Sequence, residues 1–198
     1  MHLPASSPRR LIAAAAIACA AALAPAAALA ATSSPAAPDA TATARCATSG
    51  LVVWLNVPPG NDYAGGAYYD LEFTNLSGHT CTLRGYPGVS AVSLTGRQLG
   101  SPAGWAGPRT TTVRLASGRT ATAKLQIADS GNYGQCFQRL PQGRETPEFP
   151  PIAAGLRVYP PDQRASTVIP YPFGACAHTG PVWIHAGPVT PGGPPPGI

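Results

Sequence analysis

Apolar and polar residues alternate along most of this chain. The stretch "YYDLEFTN" shows it cleanly: Tyr69, Leu71 and Phe73 fall on one side, and Asp70, Glu72 and Thr74 on the other. A period of two with one polar face marks a half-buried β-strand. "TCTLR" (80–84) repeats it with Cys81 and Leu83 inward, and "TATAKLQIA" places Ala121, Ala123, Leu125 and Ile127 on a common face. "GLVVWLNV" (50–57), "VSAVSL", "TTTVRL", "AGLRVYPP" (154–161), "STVIPY" and "PVWIHA" are further short runs of strand-forming residues. Turn residues punctuate them: "PPGND", Ser77-Gly78, Thr95-Gly96 and "ASG". In "YPGV" (86–89), Pro87 and Gly88 stand at the two central positions of a predicted type II turn, where Gly88 supplies the positive φ. No sustained 3.6-residue period follows residue 30, and "GQCFQRL" around Cys136 is the one candidate helical turn. About eight short strands with closely spaced turns predict an all-β chain, an immunoglobulin-like antiparallel β-sandwich.

The two ends have a different texture. Residues 1–30 run from Arg9-Arg10 through "LIAAAAIACAAALAPAAALA" to Ala28-Leu29-Ala30. A basic start, an apolar middle and a small-x-small end predict a secretory signal peptide cleaved after Ala30. The alternatives are a retained N-terminal anchor, export through the twin-arginine route at Arg9-Arg10, and lipidation of Cys19. Residues 31–44, rich in Ala, Thr, Ser and Pro, read as a flexible linker. The sandwich domain is expected over 45–187, followed by a Pro/Gly-rich tail, 188–198.

Beyond residue 30 the chain carries ten Arg, one Lys and eight acidic residues, interspersed along the sequence. Nucleic-acid binding needs clustered cations, so that class is excluded from the reading. After signal cleavage no membrane insertion is expected.

Four cysteines follow the signal: Cys46, Cys81, Cys136 and Cys176. An even number on an exported chain implies disulfides. Three pairings are open. Cys46–Cys81 with Cys136–Cys176 is preferred, because it closes two loops of moderate length and staples each half, at roughly 3–4 kcal/mol per bridge.

The stretch "FTNLSGHTCTLRGYPGVSAVSLTG" resembles the hallmark of a family of secreted or surface-anchored domains from high-GC Gram-positive bacteria, the DUF4232 type, whose function is unknown. Its elements are a strand ending in Thr-Asn, a Ser-Gly turn, Cys-Thr-Leu, and Gly-Tyr-Pro-Gly-Val. Cys46, "SGRTATAKLQI", "LRVYPP" and Cys176 fit the same family, so the resemblance spans about 46–187. It implies an all-β fold, export and a disulfide framework. It assigns no activity and no catalytic residue.

Candidate chemistry is sparse. His79-Thr80-Cys81 and Cys176-Ala177-His178 together offer two sulfurs and two imidazoles to a tetrahedral zinc, but zinc needs thiolates and export favours oxidation. There is no G-x-S-x-G elbow, H-E-x-x-H or phosphate loop. Asp70 and Glu72 share one strand face, so they stand side by side rather than across a cleft. No catalytic residue, metal or cofactor is therefore expected. The aromatics are more suggestive. Tyr63 and Tyr68 in "PPGNDYAGGAYY", and Trp105 in "GSPAGWAGPR", lie in Gly-rich segments suited to stacking on sugar rings or gripping a peptide. The expected function is a non-catalytic extracellular or cell-envelope module binding a glycan, a cell-wall polymer or another protein. The alternatives are a secreted small hydrolase and a secreted protease inhibitor, the latter using "GNYGQCFQRL" as its loop.

Overall fold

The computed structural model describes residues 43–108, 110–136 and 150–193. The predicted signal peptide and most of the linker lie outside these residues. So do residues 137–140 of the candidate inhibitor loop and the end of the tail.

Thirteen strands make up the described domain. The largest sheet has the order β1 (Leu51–Asn56), β3 (Gly66–Asn75), β9 (Thr120–Ala128), β12 (Ile184–Ala186) and β7 (Gly104–Trp105). Two short strands add to it, β2 (Asp62–Tyr63) on β3 and β13 (Thr190–Pro191) on β9. A second sheet has the order β11 (Thr167–Gly174), β10 (Ile152–Tyr159), β5 (Gly88–Val92) and β6 (Gln98–Leu99). A third group pairs β4 (Cys81–Arg84) with β8 (Thr112–Leu115). Every pairing is antiparallel except that of β12 with β7.

The predicted alternation sets the faces. Tyr69, Leu71 and Phe73 are buried, and so are Leu125, Ala123 and Ala121 opposite them on β9 and Ile127 opposite Ala67. The small alanines let the second sheet approach, and Val89, Ala91, Leu156 and Val158 close the core from that side. Cys81 and Leu83 point inward as well. Trp183 is fully buried and packs beside Phe173, with ring centroids 5.7 Å apart. The preferred disulfides are the ones formed, Cys46–Cys81 and Cys136–Cys176, at sequence separations of 35 and 40.

Asn75 explains much of the Thr-Asn…Ser-Gly pattern. Its side chain is fully buried, and its amide donates to the carbonyls of His79 (2.8 Å) and Leu115 (2.9 Å). Its side-chain oxygen accepts from the backbone N–H (3.0 Å) and hydroxyl (2.7 Å) of Ser77. A buried amide with both ends satisfied fixes the β3–β4 connection, with Gly78 at φ 80° completing the turn.

Two expectations need correction, and a third is met over the residues described. Gly88 is not the positive-φ residue of a type II turn. It is the first residue of β5, paired with Tyr159, and the left-handed conformation belongs to Gly85 at φ 112°. Pairing with β10 continues β5 back through Gly88, which moves the bend to the end of β4. The ordered domain also passes residue 187: Val189 is fully buried and Thr190–Pro191 pair with Thr122 and Ala121. Proline is accepted there because β13 is short and lies at an edge. The candidate helical turn is a 3-10 turn at Gly134–Cys136, and its remaining residues are outside those described.

Candidate functional site

A cleft of about 410 Å³ opens where the β2–β3 hairpin meets the end of β9. That volume lies within the range of small-molecule sites. The hairpin turns through Gly65 at φ 100°, and the chain beyond β9 clamps it. The Asp129 N–H donates to the Gly65 carbonyl (2.8 Å), and the Asn132 side-chain amide donates to the same carbonyl (3.2 Å). A Cβ on Gly66 would sit 2.8 Å from the Ala128 Cα and collide with the Tyr63 hydroxyl, so only glycine leaves this floor open.

The cleft is bordered by aromatic rings and carboxylates. Tyr63, Tyr69 and Phe173 line it, together with Asp62, Asp129 and Ser130. The Tyr63 hydroxyl accepts a hydrogen bond from the Gln126 amide (2.8 Å), which orients the ring. The Tyr69 hydroxyl receives one from Tyr171 (3.0 Å), and the two rings meet edge-on with centroids 5.4 Å apart. Burial pushes the Tyr69 phenol well above the ordinary tyrosine range. The Tyr171 hydrogen bond and the negative charges of Asp62 and Asp129 add to the shift. Tyr69 therefore stays neutral, and both carboxylates act on one hydroxyl from the same cleft. Such an arrangement stacks a ring against tyrosine and offers its hydroxyls or amines two carboxylate acceptors.

The sequence candidates divide. Tyr63 lines the cleft, and Tyr68, 46% exposed, packs beside it with ring centroids 4.9 Å apart. Trp105 lies elsewhere. It stacks on Tyr86 at 5.5 Å and 12° and is 71% exposed, while the Tyr86 hydroxyl donates to the Pro108 carbonyl (2.8 Å). Its register partner is the buried Ala186, whereas Tyr68 pairs with Gln126 on the strand face of His185. Both sulfurs of the considered zinc clusters are oxidised, and His79 Nδ1 lies 3.0 Å from the Ser77 carbonyl. Asp70 and Glu72 do share the outer face of the large sheet. Asp70 pairs with Lys124 (2.6 Å). Burial and the Asp70 charge raise the pKa of Glu72, while a hydrogen bond from Asn56 pulls it down.

Asp62, Tyr69, Asp129, Ser130 and Phe173 were not singled out from the sequence. Asp62 falls there in the breaker "PPGND" and Tyr69 on the inward side of its strand, while Asp129, Ser130 and Phe173 lie just beyond the predicted strands "TATAKLQIA" and "STVIPY". Only the pairing of Gly66 with Ala128 brings the two acidic turns together.

A family model described as a domain of unknown function (DUF4232) matches residues 46–190. The chain belongs to that family. No curated protein and no solved structure matches it. The DUF4232 match begins at the first disulfide cysteine and ends in β13, so it takes in both bridges and every residue lining the cleft. Among the described residues of this DUF4232 domain, no group of three or more metal-binding side chains occurs, and no helix is long and apolar enough to cross a membrane.

Proposed function

We propose that this chain is a non-catalytic module of the extracellular space or cell envelope, and that it binds a glycan in the Tyr63–Asp129 cleft. The observation that carries the reading is the meeting of tyrosine rings with two carboxylates around about 410 Å³ of open volume. A sugar presents an apolar ring face and a rim of hydroxyls, and this lining answers both. The rival reading, glycoside hydrolysis with Asp62 and Asp129 as the paired carboxylates, is separated from binding by the test below. Export is supported by the basic-apolar-small pattern of residues 1–30 and by two disulfides, which persist in oxidising compartments.

The test is retention of the purified chain on isolated cell-wall glycan. Tyr63→Ala and Asp129→Asn are expected to lower retention at least about tenfold, the loss of roughly one good contact. Trp105→Ala is expected to leave it unchanged. Loss in Trp105→Ala with full retention in Tyr63→Ala would move the site to the Tyr86–Trp105 stack and end the cleft reading. Release of reducing sugar that disappears in Asp129→Asn would make the cleft an active site.

A further inference from the structure

A second hollow, of about 160 Å³, is lined by Arg45, Thr82, Arg84, Thr112, Pro161 and Asp162. Its cations come from distant parts of the chain, and strand register gathers them. Arg45 bridges Thr82 from one side, and Arg114 pairs with Thr82 from the other. Arg84 follows two residues along β4 on the same face, roughly 7 Å away along the strand. Paired positions across strands share a face. Arg84, Arg114 and Arg45 therefore share one patch made by β4, β8 and the bridging segment at Arg45, with threonine between Arg45 and Arg114 and none of the three directly opposite another. The Cys46–Cys81 bridge holds the Arg45 segment against β4. Arg114 is steadied by donating to the Thr43 hydroxyl (2.6 Å).

One acid shares the hollow. Asp162 pairs with Arg45 at 3.3 Å. It sits at φ 59° in a turn closed by the Gln163 N–H on the Pro160 carbonyl (3.0 Å), and it is the one non-glycine residue in the left-handed region among the described residues. Its carboxylate thus stands where an incoming anion would meet Arg45.

We propose that this hollow is an oxyanion site for a phosphate group, with Arg45 and Arg84 as the ligands and Asp162 as a built-in competitor. Guanidinium groups match phosphate geometry in bidentate fashion, and Thr112 adds a hydroxyl at the rim. The site is independent of the glycan cleft, sharing none of its lining residues.

The experiment is an amide chemical-shift titration of the purified chain with inorganic phosphate at low ionic strength. Saturable shifts are expected at Thr82, Arg84 and Thr112. Arg45→Gln and Arg84→Gln, both surface changes, are expected to weaken binding at least about tenfold each, as befits a charge-assisted contact. Asp162→Asn keeps a residue tolerant of the left-handed turn while removing the competing charge. It is expected to tighten binding about two- to fivefold, the scale of an exposed ion pair. Non-saturable shifts, or binding unchanged in both arginine variants, would overturn the proposal, and so would weaker binding in Asp162→Asn. Two further arms identify the source of the phosphate. Arg84-dependent sedimentation with phosphatidylglycerol vesicles assigns a lipid headgroup. Arg84-dependent binding of soluble glycerol phosphate without sedimentation assigns a free phosphoester.

Discussion

Two hollows open on this domain, each beside a disulfide, and they are opposite in charge. Next to Cys136–Cys176, the cleft gathers Asp62, Asp129 and a row of aromatic rings. Next to Cys46–Cys81, the smaller hollow gathers Arg45 and Arg84 with two threonines. The covalent device is nearly the same in both, since the bridges span 35 and 40 residues. On the loop-entropy account each contributes about 4 kcal/mol. The difference lies in what the neighbouring strands present. At the cleft, the start of β3 meets the end of β9, so the acids come from the two-residue strand β2 and from the turn that follows β9. At the arginine hollow, Arg84 is an outward position of β4, and Arg45 is set beside it by a single bridge to Thr82. A staple is thus indifferent to chemistry: it holds backbone in place, and local sequence decides what that backbone displays.

The largest effect expected from breaking this symmetry is removal of one bridge at a time. Cys46→Ala with Cys81→Ala, and separately Cys136→Ala with Cys176→Ala, should each lower unfolding free energy by about 4 kcal/mol in urea titrations. Binding should separate the two variants. The first should lose the phosphate response and keep glycan retention, and the second should do the reverse. If either variant that remains folded loses both, the hollows are coupled and the comparison fails.

A smaller loss is expected from Asn75→Ala. Four hydrogen bonds go, and the buried carbonyl of Leu115 loses the side-chain partner it has there. About 3 kcal/mol is the expected cost, read from the urea midpoint. Leu115 is the register partner of Cys81, so phosphate binding should suffer more than glycan retention. Equal loss of both would show that Asn75 serves the whole fold rather than the arginine side.

The smallest effect concerns Glu72, on the outer face of β3 between β1 and β9. Its pKa is raised by burial and by the Asp70 charge, so the folded state holds this proton more tightly than the unfolded chain does. That contribution to stability is present below the unfolded value, about 4.3, and fades as pH rises through the folded value. Glu72→Gln is therefore expected to melt slightly higher than the parent at neutral pH, with the difference closing as pH falls below about 4. A series of melting curves from pH 3 to 8 checks it. A difference that grows in acid would mean the carboxylate is stabilised by its surroundings instead.

Much of the architecture is written in the order of residues. Alternation in "YYDLEFTN" and "TATAKLQIA" placed both central strands and their buried faces, because a strand with one wet face must repeat every two residues. The Ser77-Gly78 turn followed from an equally local rule, while the cysteine pairing was a preference among three open ones that the fold decided. Gly88 did not, since "YPGV" is a good turn in isolation and only the ladder to Tyr159 extends it into a strand. Tyr63 was legible as a candidate, but its partners in the cleft were not. Asp62 and Asp129 lie 67 positions apart and resemble ordinary turn residues until β3 and β9 are in register.

Charge shows the same division most sharply. By sequence the cations and acids are interspersed, and no basic block exists. In the fold, Arg45, Arg84 and Arg114 meet on one face, while Asp62 and Asp129 meet in the cleft. Sequence by itself determined the central strands and turns such as Ser77-Gly78, and it favoured one cysteine pairing of three, because these depend on residues near one another or on loop length. Tertiary structure alone decided where charge and aromatic rings converge, because convergence depends on which strands pair and in what register.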